Sequence, residues 1–138
     1  MPEPTNPETL LAFDFGLKRI GVAIGNTLTE QARPLGIIQH STRQQRFDAI
    51  KALLDTWQPN RLVVGLPLRG DGTEQYSSLQ CRRFANQLRG RFNIDVQLVN
   101  EWGSSAEAQA FVKPREPDDA MAAALILQRY LDQQAAAK

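Results

Sequence analysis

Leu10-Leu11-Ala12-Phe13-Asp14-Phe15-Gly16 is an apolar run of strand length that ends on a glycine and carries one carboxylate between two phenylalanines. Arg19-Ile20-Gly21-Val22-Ala23-Ile24-Gly25 follows with the β-branched content of a second strand. The link Gly16-Leu17-Lys18 is short enough for a hairpin, with Gly16 supplying the permissive backbone. A carboxylate inside a buried strand is costly unless it is paired or binds a cation. Asp14 is therefore the first residue to question for chemistry.

Downstream, Ala32 to Gln39 reads as a third strand, with Leu35, Ile37 and Ile38 as its apolar positions. The period then changes: Phe47, Ile50, Leu53, Leu54 and Trp57 recur at helical spacing, which predicts a helix over Gln44 to Trp57, stopped near Pro59. Arg61-Leu62-Val63-Val64-Gly65-Leu66-Pro67 is the continuous apolar run of a central parallel strand. A Gly- and Asp-containing loop from Arg69 to Gln75 precedes a second helix over Tyr76 to Phe92, with Leu79, Phe84 and Leu88 expected on its buried side. Ile94 to Asn100 makes a further strand, and Glu101 falls at its end. Ser104 to Val112 is expected as a short helix. A last helix opens at Asp118 or Asp119, with Ala122, Ala123, Ile126, Leu127 and Tyr130 as its apolar face.

Three strands joined by short links, then alternating helix and strand, predict an α/β protein with a mixed sheet covered by helices. Residues 1–9, rich in Pro and Glu, read as a disordered tail, and 10–138 as a single domain without internal repeats. The apolar fraction of 42% and charged fraction of 22% are those of an ordinary globular chain. One cysteine, Cys81, and one histidine, His40, exclude an internal disulfide and a classical zinc site. The amino terminus has no apolar stretch, and no run approaches the ~20 residues that span a bilayer. A cytoplasmic location without membrane association is expected. The net charge of +1 excludes nothing, since an acidic metal site can coexist with a basic rim.

Three carboxylates stand out by placement. Asp14 lies in the first strand, Glu101 directly follows an apolar strand, and Asp119 shares a helix face with Ala123 and Ile126. Alone, Asp119 reads equally as a helix cap and Glu101 as a solvated strand end. Brought together, such groups repel one another, and a divalent cation relieves that. Hard oxygen ligands favour Mg²⁺ or Mn²⁺ over zinc. Two such ions about 3.5–4 Å apart can activate water and stabilise the leaving oxygen of a phosphodiester.

Asp14-Phe15-Gly16-Leu17-Lys18-Arg19-Ile20-Gly21-Val22-Ala23 closely resembles the opening motif of the YqgF family, also called RuvX, of ribonuclease-H-like nucleases. Val64-Gly65-Leu66-Pro67 with Asp71-Gly72-Thr73-Glu74-Gln75 resembles its second signature, and Asp119 with Ala122-Ala123 and Ile126-Leu127 its closing helix. The resemblance runs from about Leu10 to Leu131. It implies a ribonuclease-H-like mixed five-stranded sheet flanked by helices, with Asp14, Glu101 and Asp119 as metal-binding and catalytic carboxylates. It further implies a metal-dependent nuclease acting in 5′-end maturation of the small-subunit (pre-16S) ribosomal RNA, or resolving Holliday junctions in branched DNA. Two departures stand out. Trp102 follows Glu101 where the family usually has an arginine, and Lys113-Pro114-Arg115-Glu116-Pro117 is a short approach to the last helix.

Lys18 and Arg19 lie close enough to Asp14 to contact a phosphate, and Arg82 and Arg83, with Arg89 and Arg91, make the second helix basic. Such a rim would bind nucleic acid with strong salt dependence and little sequence preference. Each is also an ordinary solvated position on a hairpin tip or a helix. Gly21 and Gly25 would let a nucleic-acid backbone come close, or mark strand bulges. The expected partners are an RNA precursor or branched DNA and ribosomal particles, with the chain a monomer or weak homodimer. A different class of function, a nucleic-acid or ribosome-associated binding module with weak catalysis, is motivated by Trp102. Retention of all three carboxylates weighs against it. An actin-like ATPase shares the Asp14-Phe15-Gly16 start, but would need two domains around the nucleotide.

Overall fold

The computed structural model describes residues 7–101 and 119–137. Its elements are β1 (Thr9–Phe15), β2 (Arg19–Asn26), β3 (Gln31–Gln39), α1 (Arg43–Trp57), β4 (Arg61–Pro67), α2 (Tyr76–Phe92), β5 (Asp95–Glu101) and α3 (Asp119–Ala136). The strands form one five-stranded sheet in the order β3-β2-β1-β4-β5. β1–β2 and β2–β3 pair antiparallel, as short links require, while β1–β4 and β4–β5 pair parallel across the helical crossovers. β1 therefore occupies the centre, and the C-terminal ends of β1, β4 and β5 open on one edge.

Alternation along each strand sends side chains to two different cores. Leu11 and Phe13 of β1, Ile20 and Val22 of β2, and Leu62 and Val64 of β4 face α1 and α2, where Phe47, Ile50, Phe84 and Leu88 meet them. Leu10 and Ala12 of β1, Ala23 of β2, Val63 of β4 and Val99 of β5 face α3, which buries Ala123, Ala124, Ile126 and Leu127 against them. Asp14 has the parity of Leu10 and Ala12, so it points to the α3 side. β3 is an edge strand, which accommodates Pro34 within it. α1 starts on a capping box in which the Thr42 hydroxyl accepts the Gln45 N–H at 3.1 Å and the Gln45 side chain accepts the Thr42 N–H.

The sequence reading needs correction in two places. Glu8 and Thr9 are not part of a loose tail. Thr9 pairs with Asn26 as the first residue of β1, and Glu8 is fixed by its N–H on the Thr27 hydroxyl and by Arg61. Leu79 is not on the buried side of α2 but 58% exposed. The buried stripe runs through Ser78, Cys81, Phe84, Ala85 and Leu88, at steps of three and four, and Leu79 lies off it. The short helix expected over Ser104 to Val112, Trp102 and the Asp118 alternative all lie outside the described residues. Trp57 packs half-buried against the α1/α2 core, and Cys81 lies inside it.

Candidate active site

Asp14 is the last α3-facing residue of β1, and its neighbours on both adjoining strands are glycines. Its cross-strand partner on β2 is Gly21, and the parallel register Phe13–Val64 places Gly65 of β4 one step on at the other side. Neither glycine could carry even a methyl group. A Cβ on Gly21 would stand 1.7 Å from the backbone oxygen of Asp119, so this glycine is what lets the first turn of α3 rest directly on the sheet. A Cβ on Gly65 would stand 2.6 Å from Oε2 of Glu101 and equally close to Ile126, so this second glycine makes the space into which the Glu101 side chain folds back. The three sequence-selected carboxylates thus converge on one edge of the sheet through two backbone gaps.

The electrostatics show the cost. Burial pushes Asp14 up to about 6, and the negative charge of Asp119 adds to it. Burial pushes Glu101 up to about 7, Asp14 adds to it, and Arg129 pulls in the opposite direction. Arg129 is fixed nearby by its Nη1 donating to the carbonyl of Asn100 at 3.1 Å. The thiol of Cys81 is pushed up to about 12 by burial and then by the same two carboxylates, which leaves it inert as a nucleophile. Asp119, at the start of α3, is ion-paired to Arg19 at 3.3 Å. Among the described residues, no group of three or more Asp, Glu, His or Cys side chains is placed to hold a metal ion. Donor chemistry nevertheless suits a hard cation: Asp14 and Glu101 repel each other, Asp119 repels Asp14, and all three offer only oxygen.

The basic residues divide. Arg19 belongs to the site through Asp119, and Lys18 is exposed on the same hairpin tip. Arg82 is held by Glu74 in a two-pronged pair, Nε to Oε1 at 2.8 Å and Nη2 to Oε2 at 2.9 Å, whereas Arg83 has no hydrogen bond or ion pair among the described residues. His40 braces the hairpin tip. It is buried, its backbone N–H donates to the Lys18 carbonyl at 3.2 Å, and its ring Nε2 lies 3.4 Å from the Gly16 carbonyl. Sequence reasoning named Gly21 as a point of backbone approach or a strand bulge and gave Gly65, Arg129 and His40 no role in the site. Pairing Gly21 with Asp14 across the predicted hairpin was the one available signal.

A mixed sheet of order 3-2-1-4-5, with a carboxylate in the central strand and a second at the end of an edge strand, is the ribonuclease-H-like fold. Two solved structures share it over nearly the whole chain. RuvC of T. thermophilus in complex with a Holliday junction substrate has a TM-score of 0.54 at 14% identity, covering 94% of this chain and 96% of that one. The fowlpox virus Holliday junction resolvase has a TM-score of 0.54 at 12% identity, covering 91% and 99%. At the sequence level, the family described as "RuvX: Holliday junction resolvase" matches residues 8–133. A Bordetella avium protein named "Putative pre-16S rRNA nuclease" is 64% identical over 132 residues, 96% of this chain and 98% of that protein. A Paraburkholderia xenovorans protein of the same name is 52% identical over 128 residues, 90% and 88% of the two chains. The chain belongs to the RuvX family.

Proposed function

We propose that this protein is a divalent-metal-dependent nuclease that hydrolyses a phosphodiester bond of the small-subunit ribosomal RNA precursor. The observation that carries the reading is the burial of Asp14 and Glu101 together beside Gly21 and Gly65, which drives both far above the ordinary carboxylate range. A fold does not keep two such groups buried side by side for stability, because each is destabilising there. Asp14, Glu101 and Asp119 would hold Mg²⁺ or Mn²⁺, which when bound supplies a nucleophilic water and neutralises charge on the leaving oxygen. Arg19, now paired with Asp119, would be available to a phosphate oxygen if Asp119 turned to hold the ion. Lys18 presents a second positive charge beside it, on a tip fixed by His40. Of the two arginines expected on α2, Arg83 is free to meet the nucleic acid, and Arg82 would first have to leave Glu74.

The names of the relatives favour precursor RNA, and the family description keeps a four-way DNA junction as the second substrate to test. Labelled single-stranded RNA, pre-16S RNA and a four-way junction are incubated with Mn²⁺ or Mg²⁺, comparing wild type with Asp14→Asn. Metal-dependent cleavage of pre-16S RNA, lost in the variant, is the expected result. Cleavage of the junction alone would replace the RNA assignment. Equal cutting by both proteins, or none by either, would sink the nuclease reading and leave a binding module.

A further inference from the structure

On the other side of the β1 tip from Asp14, Phe15, Leu17, Arg43, Arg46, Gln80, Arg83, Phe84 and Gln87 line a cleft of about 160 Å³. Its walls are cationic and lack compensation. The Arg46 guanidinium lies over the Phe15 ring at 4.9 Å and the Phe47 ring at 5.7 Å, and Arg91 lies over the opposite part of the cluster, 4.1 Å from the Phe47 centroid. Arg43, Arg46, Arg83 and Arg91 have no carboxylate partner among the described residues. Arg46 Nε is buried without a hydrogen-bond acceptor. Burial and the adjacent charge of Arg43 lower the pKa of Arg46, so the cluster is electrostatically unfavourable as it stands.

Like charges gathered around an unsatisfied buried donor are costly unless an anion completes them. Cation–π contact with Phe15 and Phe47 holds the Arg46 guanidinium at the cleft, where its fork can meet a tetrahedral oxyanion. The position says which anion. Phe15 adjoins Asp14 in the chain, about 3.8 Å between Cα atoms, with its side chain on the opposite face. A nucleic-acid strand crossing the β1 tip from the Asp14 side would bring a neighbouring backbone phosphate to this cleft. Resting on the nuclease reading, we propose that Arg43, Arg46 and Arg83 form a second phosphate site, which clamps a phosphodiester flanking the one to be cut.

The test separates binding from cleavage. Affinity for a fluorescein-labelled single-stranded RNA and for a four-way DNA junction is measured against salt in EDTA, with the full chain carrying Asp14→Asn as parent. Arg43→Gln/Arg83→Gln, both exposed positions, and separately Arg46→Lys, which keeps the charge and loses the fork, are added to it. For the glutamine pair, the slope of log K against log salt should flatten by about 0.7 per lost contact on the single strand and about 0.9 on the junction. Affinity should fall several-fold, and Arg46→Lys should weaken binding while leaving most of the slope. Whichever probe shows the loss identifies RNA or branched DNA as the source of the phosphate. Unchanged slope and affinity in the folded glutamine pair, or no measurable binding of either probe by the parent, would overturn the site. Arginine-dependent binding by a chain whose wild type cleaves nothing would keep the site and discard the nuclease. Asp14-dependent cleavage with an unchanged slope would do the reverse.

Discussion

The two faces of the sheet are built to opposite rules although the same strands make both. Toward α1 and α2 the filling is large and aromatic. Phe13 meets Phe84 edge-on at 6.0 Å, Phe15 stacks on Phe84 at 4.6 Å, and Phe47 lies 6.3 Å from Phe84. Toward α3 the filling is aliphatic and interspersed with small residues, Ala12, Ala23, Ala123 and Ala124 among Leu10, Val63, Ile126 and Leu127, and near the site it shrinks to Gly21 and Gly65. Large side chains hold two layers apart; small ones let a helix backbone touch the sheet. Both faces bury apolar surface, but only the α3 face, through its small residues, brings the start of α3 and its Asp119 down onto the strand that carries Asp14.

That division is broken most severely by cutting into each face in turn. Phe84→Ala removes the ring at the centre of the aromatic cluster and should cost about 3–5 kcal/mol of unfolding free energy in urea titrations. Gly21→Ala adds one methyl group against the Asp119 backbone, and overpacking of this kind costs about 1–3 kcal/mol or somewhat more. The two should part in activity. The fraction of Phe84→Ala that stays folded should keep metal-dependent cleavage at a reduced rate, since the ring also lines the arginine cleft, whereas Gly21→Ala should fall to background because Asp119 is displaced. Normal cleavage by folded Gly21→Ala would show that the close approach of α3 is not needed at the site.

A middle-sized effect concerns charge rather than volume. Asp14 and Glu101 have folded pKa values near 6 and 7, above their ordinary 3.8 and 4.5. The folded state therefore binds their protons more tightly than the unfolded one. Below about pH 4 they cost nothing; between about pH 4 and 7 the metal-free protein loses stability as they are forced to ionise, and above pH 7 the loss is complete. In EDTA, Asp14→Asn should thus stabilise the protein at pH 7.5 by about 3 kcal/mol at most, by less as the pH falls, and by almost nothing at pH 3. Mn²⁺ should reverse this, raising the melting temperature of wild type at pH 7.5, far less at pH 5, and not at all in the variant. A wild-type stability that is flat from pH 5 to 8 in EDTA would remove the electrostatic argument for the site.

What could be read from the chain follows the same division. Elements defined by large apolar residues at a fixed period were legible: the β1–β2 hairpin, the continuous run of β4, and α1 to within one residue of its start. Asp14 was legible because its phenylalanine neighbours made a charge there anomalous. Gly65 and Arg129 were not, because their roles exist only across strands and between β5 and α3, and a glycine has no side chain whose pattern could declare its partner. The Arg43–Arg46–Arg83 cleft was hidden for the same reason: its walls come from α1, α2 and the end of β1, and α1 and α2 are separated in the chain by β4. Lys18 and Arg19 were flagged by nearness in sequence, which does not reveal that Asp119 already holds one of them.

Leu79 marks the limit of period reading and carries the smallest expected effect. Taken with Phe84 and Leu88 it looks like part of an apolar face, but at about 100° per residue it lies roughly 200° from Cys81, which is on the true stripe. Its neighbour Ser78 occupies the buried position instead, its hydroxyl accepting the Gln75 N–H and donating to the Pro67 carbonyl at the end of β4. A serine there ties the start of α2 to the strand beside the site, which a leucine could not do. Leu79→Gln should consequently shift unfolding free energy by less than about 0.5 kcal/mol, as at other exposed positions. It should leave cleavage unchanged. A loss of 2 kcal/mol or more would mean that α2 is rotated from the orientation described, and with it the wall that Gln80, Arg83 and Gln87 contribute to the second phosphate site.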